Sequence, residues 1–109
     1  MIHVLDVLEV VPGRLGDVRA RVHGEYRPLM ADLGMRLVHS WIAPAVELAD
    51  RPTELLLLWE LDDVPSFWRM RTTAARDPRV LAFWDGLDGL LAGRERKLMC
   101  DPDDQTVLR

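Results

Sequence analysis

The sequence predicts an α+β domain of ferredoxin-like order, β-α-β-β-α-β, with a four-stranded antiparallel sheet carrying its helices on one face. Three observations lead there. Hydrophobic spacing alternates between a period of two and a period of three to four in that order. Punctuation falls where the period changes, at Pro12-Gly13, Gly34, Asp63-Val64-Pro65 and Asp77-Pro78. The third strand is apolar on both sides, so the sheet face without helices needs a cover of its own.

Ile2 to Val10 is rich in β-branched and aliphatic residues and reads as a strand closed by Val11-Pro12-Gly13. From Leu15 the spacing becomes helical, with Leu15, Val18, Val22, Tyr26, Met30 and Leu33 on one stripe and Gly34 as a left-handed cap. Pro28 lies inside that helix, where its ring meets the carbonyl of Gly24, so a kink is expected between these two residues.

Met35 to Ala43 is the second strand. Strict alternation puts Leu37, His39 and Trp41 on one face and Val38, Ser40 and Ile42 on the other. After a loop over 44–52, Glu54 to Leu61 forms the third strand. Leu55, Leu57, Trp59 and Leu61 share one side, with Leu56 and Leu58 on the opposite side. Asp62 to Pro65 and then Asp77-Pro78 each open a helix, so the second helical region divides in two. Val80, Trp84, Leu87 and Leu91 form the stripe of the later one, and Glu95 to Cys100 is the last strand. Residues 1–100 read as a single domain and 101–109 as a polar tail.

Burying each large aliphatic side chain is worth roughly 1.5–3 kcal/mol. Exposure of Leu56, Leu58 and their neighbours would forfeit several such terms. The simplest closed remedy is a homodimer, with a second copy packed sheet against sheet.

Composition narrows the function. A net charge of −4 and a pI near 5.3 argue against a nucleic-acid surface. The arginines at 69, 71, 76 and 79 read as a solvated helix face. Cys100 is the only cysteine, which excludes an intrachain disulfide and fits a reducing, cytoplasmic setting. The apolar run from Leu55 to Trp59 is too short to cross a membrane. Histidine spacing matches no metal motif, and neither a phosphate loop nor a nucleophile elbow is present. No metal and no cofactor is expected.

The arrangement is similar to that of the NIPSNAP family, within the dimeric α+β barrel superfamily, over roughly residues 3 to 100. The likeness rests on a first strand ending in Pro12-Gly13, on Pro28 late in the first helix, and on the segment from Gly34 to Trp41. It continues in Leu55 to Leu61, which resembles a family strand ending in Leu-Trp-x-Tyr. Ala75-Arg76-Asp77-Pro78 resembles Ala-x-Asp-Pro, and the aromatic pair Phe83 and Trp84 follows. The chain departs from the family in three places. Asp6 stands where an arginine is usual, Leu61 replaces an aromatic, and Leu57 replaces a histidine. The resemblance implies two copies forming a dimeric α+β barrel, with ligands held between helix and sheet. It does not imply one reaction, since cofactor-free monooxygenases, polyketide cyclases and haem enzymes all belong to the superfamily.

The chemistry-bearing candidates follow from position. His3, His23 and His39 are the three histidines, the residue type suited to proton transfer near neutral pH. His39, between Leu37 and Trp41, is the expected proton-transfer residue, with Tyr26 or His23 as its hydrogen-bonding partner. A packed histidine that only satisfies a hydrogen bond is the competing account. Asp6 interrupts an apolar strand, which calls for a salt bridge to an arginine or a place in a pocket. Trp41, Trp59, Trp68 and Trp84 are candidates for an aromatic ligand wall, with core packing as the alternative. Together these residues suggest a cofactor-independent enzyme of cyclase, isomerase or monooxygenase type, acting on an apolar, aromatic or polyketide-like small molecule in bacterial secondary metabolism or catabolism. A non-catalytic ligand binder and a purely structural dimer are the alternatives.

Overall fold

A computed structural model describes residues 1–104. The first strand, β1 (Ile2–Val10), lies between β3 (Thr53–Leu61) and β4 (Leu91–Cys100), and β2 (Arg36–Ala43) pairs with the outer side of β3. All three pairings are antiparallel, giving the sheet order β2-β3-β1-β4. The helical segments α1 (Leu15–Arg21), α2 (Arg27–Asp32), α3 (Val64–Ala74) and α4 (Pro78–Gly86) pack on one face. The four antiparallel strands and their single helical layer are the expected ferredoxin-like α+β arrangement.

Burial alternates along β3 as its sequence requires. Leu55, Leu57, Trp59 and Leu61 are buried under the helices, while Leu56 and Leu58 look out of the bare face. On β1, Ile2, Val4, Leu8 and Val10 join the buried side, and so does Asp6. Leu5 and Val7 lie beside Leu58 and Leu56 on the open side.

Between α1 and α2 the chain runs as a π-helical turn, Val22–Tyr26, in which the Arg27 amide bonds back to the Val22 carbonyl. The expected kink is thus a widened turn. Its cause is legible: Pro28 has no amide to give to Gly24 and its ring demands room. The turn also corrects the stripe. Buried positions at 18, 22, 26 and 30 recur every fourth residue, which in a 3.6-residue helix drifts by about 40° per step. One wide turn absorbs part of that drift. At the end of α2, Gly34 has φ +87°, its amide bonds to Ala31 and that of Met35 reaches Met30, which closes the helix as a Schellman cap.

The helix starts lie where their signals put them. Asp63 accepts from the Ser66 amide at 2.8 Å and Asp77 from the Arg79 amide at 2.9 Å.

Two expectations change. The last strand begins at Leu91, four residues earlier than expected, because α4 ends at Gly86 and Gly89 (φ +83°) turns the chain into the sheet. Leu91 therefore pairs with Val10 and does not extend the helical stripe; Phe83 supplies the buried residue there. In β2 a bulge at Val38 places Leu37 opposite Trp59 but His39 opposite Leu58. Leu37 consequently faces the helices while His39 and Trp41 face the open side, so the three do not share a face. Of the polar tail, residues 101–104 form a turn, with the terminal amine on Asp104 at 3.1 Å; positions 105–109 lie outside the described residues. Among the described residues no helix is long and apolar enough to cross a membrane.

Candidate functional site

Asp6 is the one carboxylate in the buried half of β1, at 3% exposure, and it is fully engaged. Arg96, its cross-strand partner on β4, donates from Nε to Oδ1 at 2.7 Å and from Nη2 to Oδ2 at 3.0 Å. The indole Nε1 of Trp59, from β3 on the other side, donates to Oδ2 at 3.0 Å. Three adjacent strands therefore converge on one carboxylate. The bidentate pair fixes the guanidinium plane, and the Arg96 side chain keeps only 31% exposure. Burial disfavours the Arg96 charge, yet the hydrogen bonds and charge of Asp6 outweigh it and hold Arg96 firmly protonated.

The same guanidinium reaches Tyr26, with Nη2 donating to Oη at 3.2 Å. Tyr26 descends from the π-helical turn into an aromatic nest. It stacks on Phe83 at 4.7 Å and meets the edges of Trp84 at 5.1 Å and Trp59 at 5.6 Å. Because Oη accepts from Arg96, its own hydrogen is left to point elsewhere. Burial raises the Tyr26 pKa, with the Arg96 charge working against that rise, so the phenol is neutral at physiological pH.

Beside this network lies a cavity of about 590 Å³ between β4 and the helices α3 and α4. Asp6, Arg96 and Tyr26 form its floor. Helical cover stops short of the β4 edge, so its mouth is apolar, with Trp68 53%, Leu81 52% and Leu98 43% exposed. Trp84 is half-buried on the wall, under the Arg94 guanidinium at 4.0 Å. A pocket of this size, mostly apolar with a few convergent polar groups, suits a small organic molecule. No group of three or more histidine, cysteine, aspartate or glutamate side chains that could hold a metal occurs among the described residues.

The structure thus brings together Asp6, Tyr26, Trp59, Trp68 and Trp84 around one site. Trp59 is fully buried behind the carboxylate and packs the core, whereas Trp68 and Trp84 border the space itself. The other candidates lie elsewhere. His39 stacks on Trp41 at 4.7 Å with an interplanar angle of 19°, both exposed on the open face. The sheet therefore separates His39 from Tyr26, and the expected partnership between them does not form. His3 is half-buried on that same open face. His23 sits on the helical layer away from the cavity, with its pKa lowered first by partial burial and then by Arg19 and Arg27.

Sequence reasoning did not single out Arg94 and Arg96. Their signal was present: an acid inside an apolar strand requires a cation on a neighbour, and the Arg94-x-Arg96 spacing places two on one strand face.

These features define a ferredoxin-like α+β protein with a pocket between helices and sheet. Among solved structures it is similar to an uncharacterized NIPSNAP domain protein from Burkholderia xenovorans, with a TM-score of 0.77 over 94% of this chain and 96% of that one, at 17% identity. A NIPSNAP family protein from Agrobacterium tumefaciens matches with a TM-score of 0.75 over 97% of both chains, also at 17% identity. More distant is a Nitrosomonas europaea protein described as a candidate antibiotic biosynthesis monooxygenase, with a TM-score of 0.62 at 13% identity over 94% of this chain and 99% of that one. At such identities the likeness establishes the fold alone. No family model matches the sequence, and neither does any curated protein.

Proposed function

We infer that the cavity beneath α3 and α4 binds a flat apolar or aromatic small molecule, and that Tyr26 delivers a proton or hydrogen bond to an oxygen of that molecule. The observation that carries this is the direction of one hydrogen bond. Arg96 donates to the Tyr26 oxygen, which leaves the phenolic hydrogen for an acceptor in the cavity that both residues line. The guanidinium also stabilises negative charge developing on the phenol as its proton leaves. Asp6 acts through Arg96, holding it in the required plane, and is a positioning residue. Proton transfer of this type needs no bound cofactor and suits a cyclase or isomerase acting on a polyketide-like phenol or enone, a chemistry at home in secondary metabolism or aromatic catabolism.

A non-catalytic binder is the second reading, and the raised Tyr26 pKa favours it, since a phenol that holds its proton tightly is a better anchor than acid. Tyr26→Phe separates the two in a screen of polyketide-like phenols and enones. In an enzyme it lowers turnover by about 10²-fold or more and leaves affinity nearly unchanged. In a binder it weakens affinity and there is no turnover to lose. Unchanged affinity and turnover would remove Tyr26 from the site.

The homodimer belongs to the same proposal. Leu5, Val7, Leu56 and Leu58 form an apolar centre on the open face. Arg36 with Glu60 lies towards one corner and Lys97 with Glu95 at the opposite edge, so the rim carries both signs, as a self-complementary surface requires. His39 and Trp41 would then be interface residues.

A further inference from the structure

We propose that the cavity's ligand is an organic anion, whose apolar body lies against Trp68 and Trp84 and whose acid group is held by Arg71 and Arg94. This rests on the cavity being a ligand site and specifies the class of ligand.

The charges around the cavity do not cancel. Asp6 and Arg96 neutralise each other through their bidentate pair. Glu95 borders the space, but its register opposite Val7 assigns it to the other face of β4, where it lies 3.8 Å from Lys97. Arg71 and Arg94 remain. Neither has a carboxylate within ion-pair distance among the described residues. In a protein of net charge −4, with acids outnumbering bases, two uncompensated guanidiniums on one small cavity are a local reversal of sign.

Their posture supports the same conclusion. Arg94 lies over the Trp84 ring at 4.0 Å and Arg71 over the Trp68 ring at 5.5 Å. Stacking occupies the flat face of a guanidinium and leaves its in-plane N–H groups free, which is the edge a carboxylate, sulfonate or phosphate uses. The indole also excludes water from one side of the cation, which strengthens attraction to an incoming anion. Each arginine–tryptophan pair thus offers an apolar surface and a cationic edge together. Two such pairs bordering one mouth match a molecule with a flat body and an acidic substituent.

The probes are 2-naphthoate and its neutral isostere 2-naphthamide, titrated against the full chain with tryptophan fluorescence as the readout. The carboxylate is expected to bind about 10-fold more tightly, as for hydrogen bonds to a charged group. Arg71→Gln and Arg94→Gln should each reduce that preference to about threefold or less, leave the amide's affinity unchanged, and preserve the circular dichroism spectrum; Arg94→Lys should keep part of the preference. Amide and acid binding alike would overturn the anion assignment and leave the cavity as a neutral-ligand site. A preference that survives both glutamine replacements would overturn the role of these arginines. Failure of both probes to bind at millimolar concentration would overturn the ligand site itself, and the anion with it.

Discussion

On the helical side of the sheet, Asp6 is held by two cross-strand neighbours and linked to Tyr26 through Arg96, so the carboxylate and the guanidinium have a fixed orientation. On the open side, His39 and Trp41 stack ring on ring, and both are exposed. The same strands build both faces, and the aliphatic content of β3 is similar on each. What differs is closure. The helical face is covered within one chain except along the β4 edge, whereas the open face has no cover at all. Residues on the covered face can therefore be assigned chemistry from their partners, while those on the open face await a second surface.

The sharpest way to break this contrast uses adjacent residues on β3. Leu57→Asp puts a charge among fully buried neighbours and should cost about 4 kcal/mol or more, leaving little folded protein in a urea titration. Leu56→Asp, one residue away on the open face, should leave the circular dichroism spectrum intact and halve the mass seen by light scattering. If Leu56→Asp unfolds the chain, the open face is part of the monomer's core. If the mass is already that of a monomer in the unaltered protein, the homodimer fails.

A smaller loss is expected from Arg96→Leu, which leaves Asp6 buried with only the Trp59 indole; chemical denaturation should register about 3 kcal/mol. Replacing the pair together, Asp6→Leu with Arg96→Met, should recover most of that loss. No recovery would mean that the network is needed to fold and is not only an orienting device.

Tyr26 is the only tyrosine, so phenolate absorbance near 295 nm titrates this group alone. Its midpoint should lie above the ordinary 10.0. The folded chain keeps the proton that the unfolded chain releases, so stability falls as pH rises through and beyond that value. A midpoint at or below 10.0 would mean that solvent reaches the phenol and that the aromatic nest is open.

The weakest expected effect concerns His23. Its pKa is held below the ordinary 6.5, so on acidification the unfolded chain takes up the proton first. Its contribution is present above that value and is lost as pH falls through and below it. His23→Gln should flatten this part of the stability profile slightly, because the ring is only half-buried. An unchanged slope would show that neither burial nor Arg19 and Arg27 hold its pKa down.

The element order, the two-sided β3, the divided second helical region and the distortion at Pro28 were legible because each depends on local signals: spacing, caps and ring sterics. The facing of His39 was not. Alternation assumes an unbroken ladder, and the bulge at Val38 reverses the face of everything after Leu37 without a glycine or proline to mark it. The cavity was half legible. Asp6 announced that it needed a cation, and Tyr26 lay on the buried stripe. Which arginine answers is fixed by the pairing of β1 with β4, a contact 90 residues apart in sequence that no local pattern encodes.

The π-helical turn at Val22–Tyr26 gives the first helix one residue more than a regular helix of the same span would use. The Tyr26 hydroxyl is therefore positioned by chain count as well as by packing. Deleting one residue between Val22 and Tyr26 would let a regular helix cover the same span, keeping the Leu15–Val18 and Met30 contacts on their present faces while removing the wide turn that delivers Tyr26. An insertion has no such slack, because the wide turn already holds its extra residue, and it would turn everything beyond it by about 100° relative to α1. The segment is thus a tolerance built into the backbone, at the point where the chain delivers the Tyr26 hydroxyl to the cavity floor.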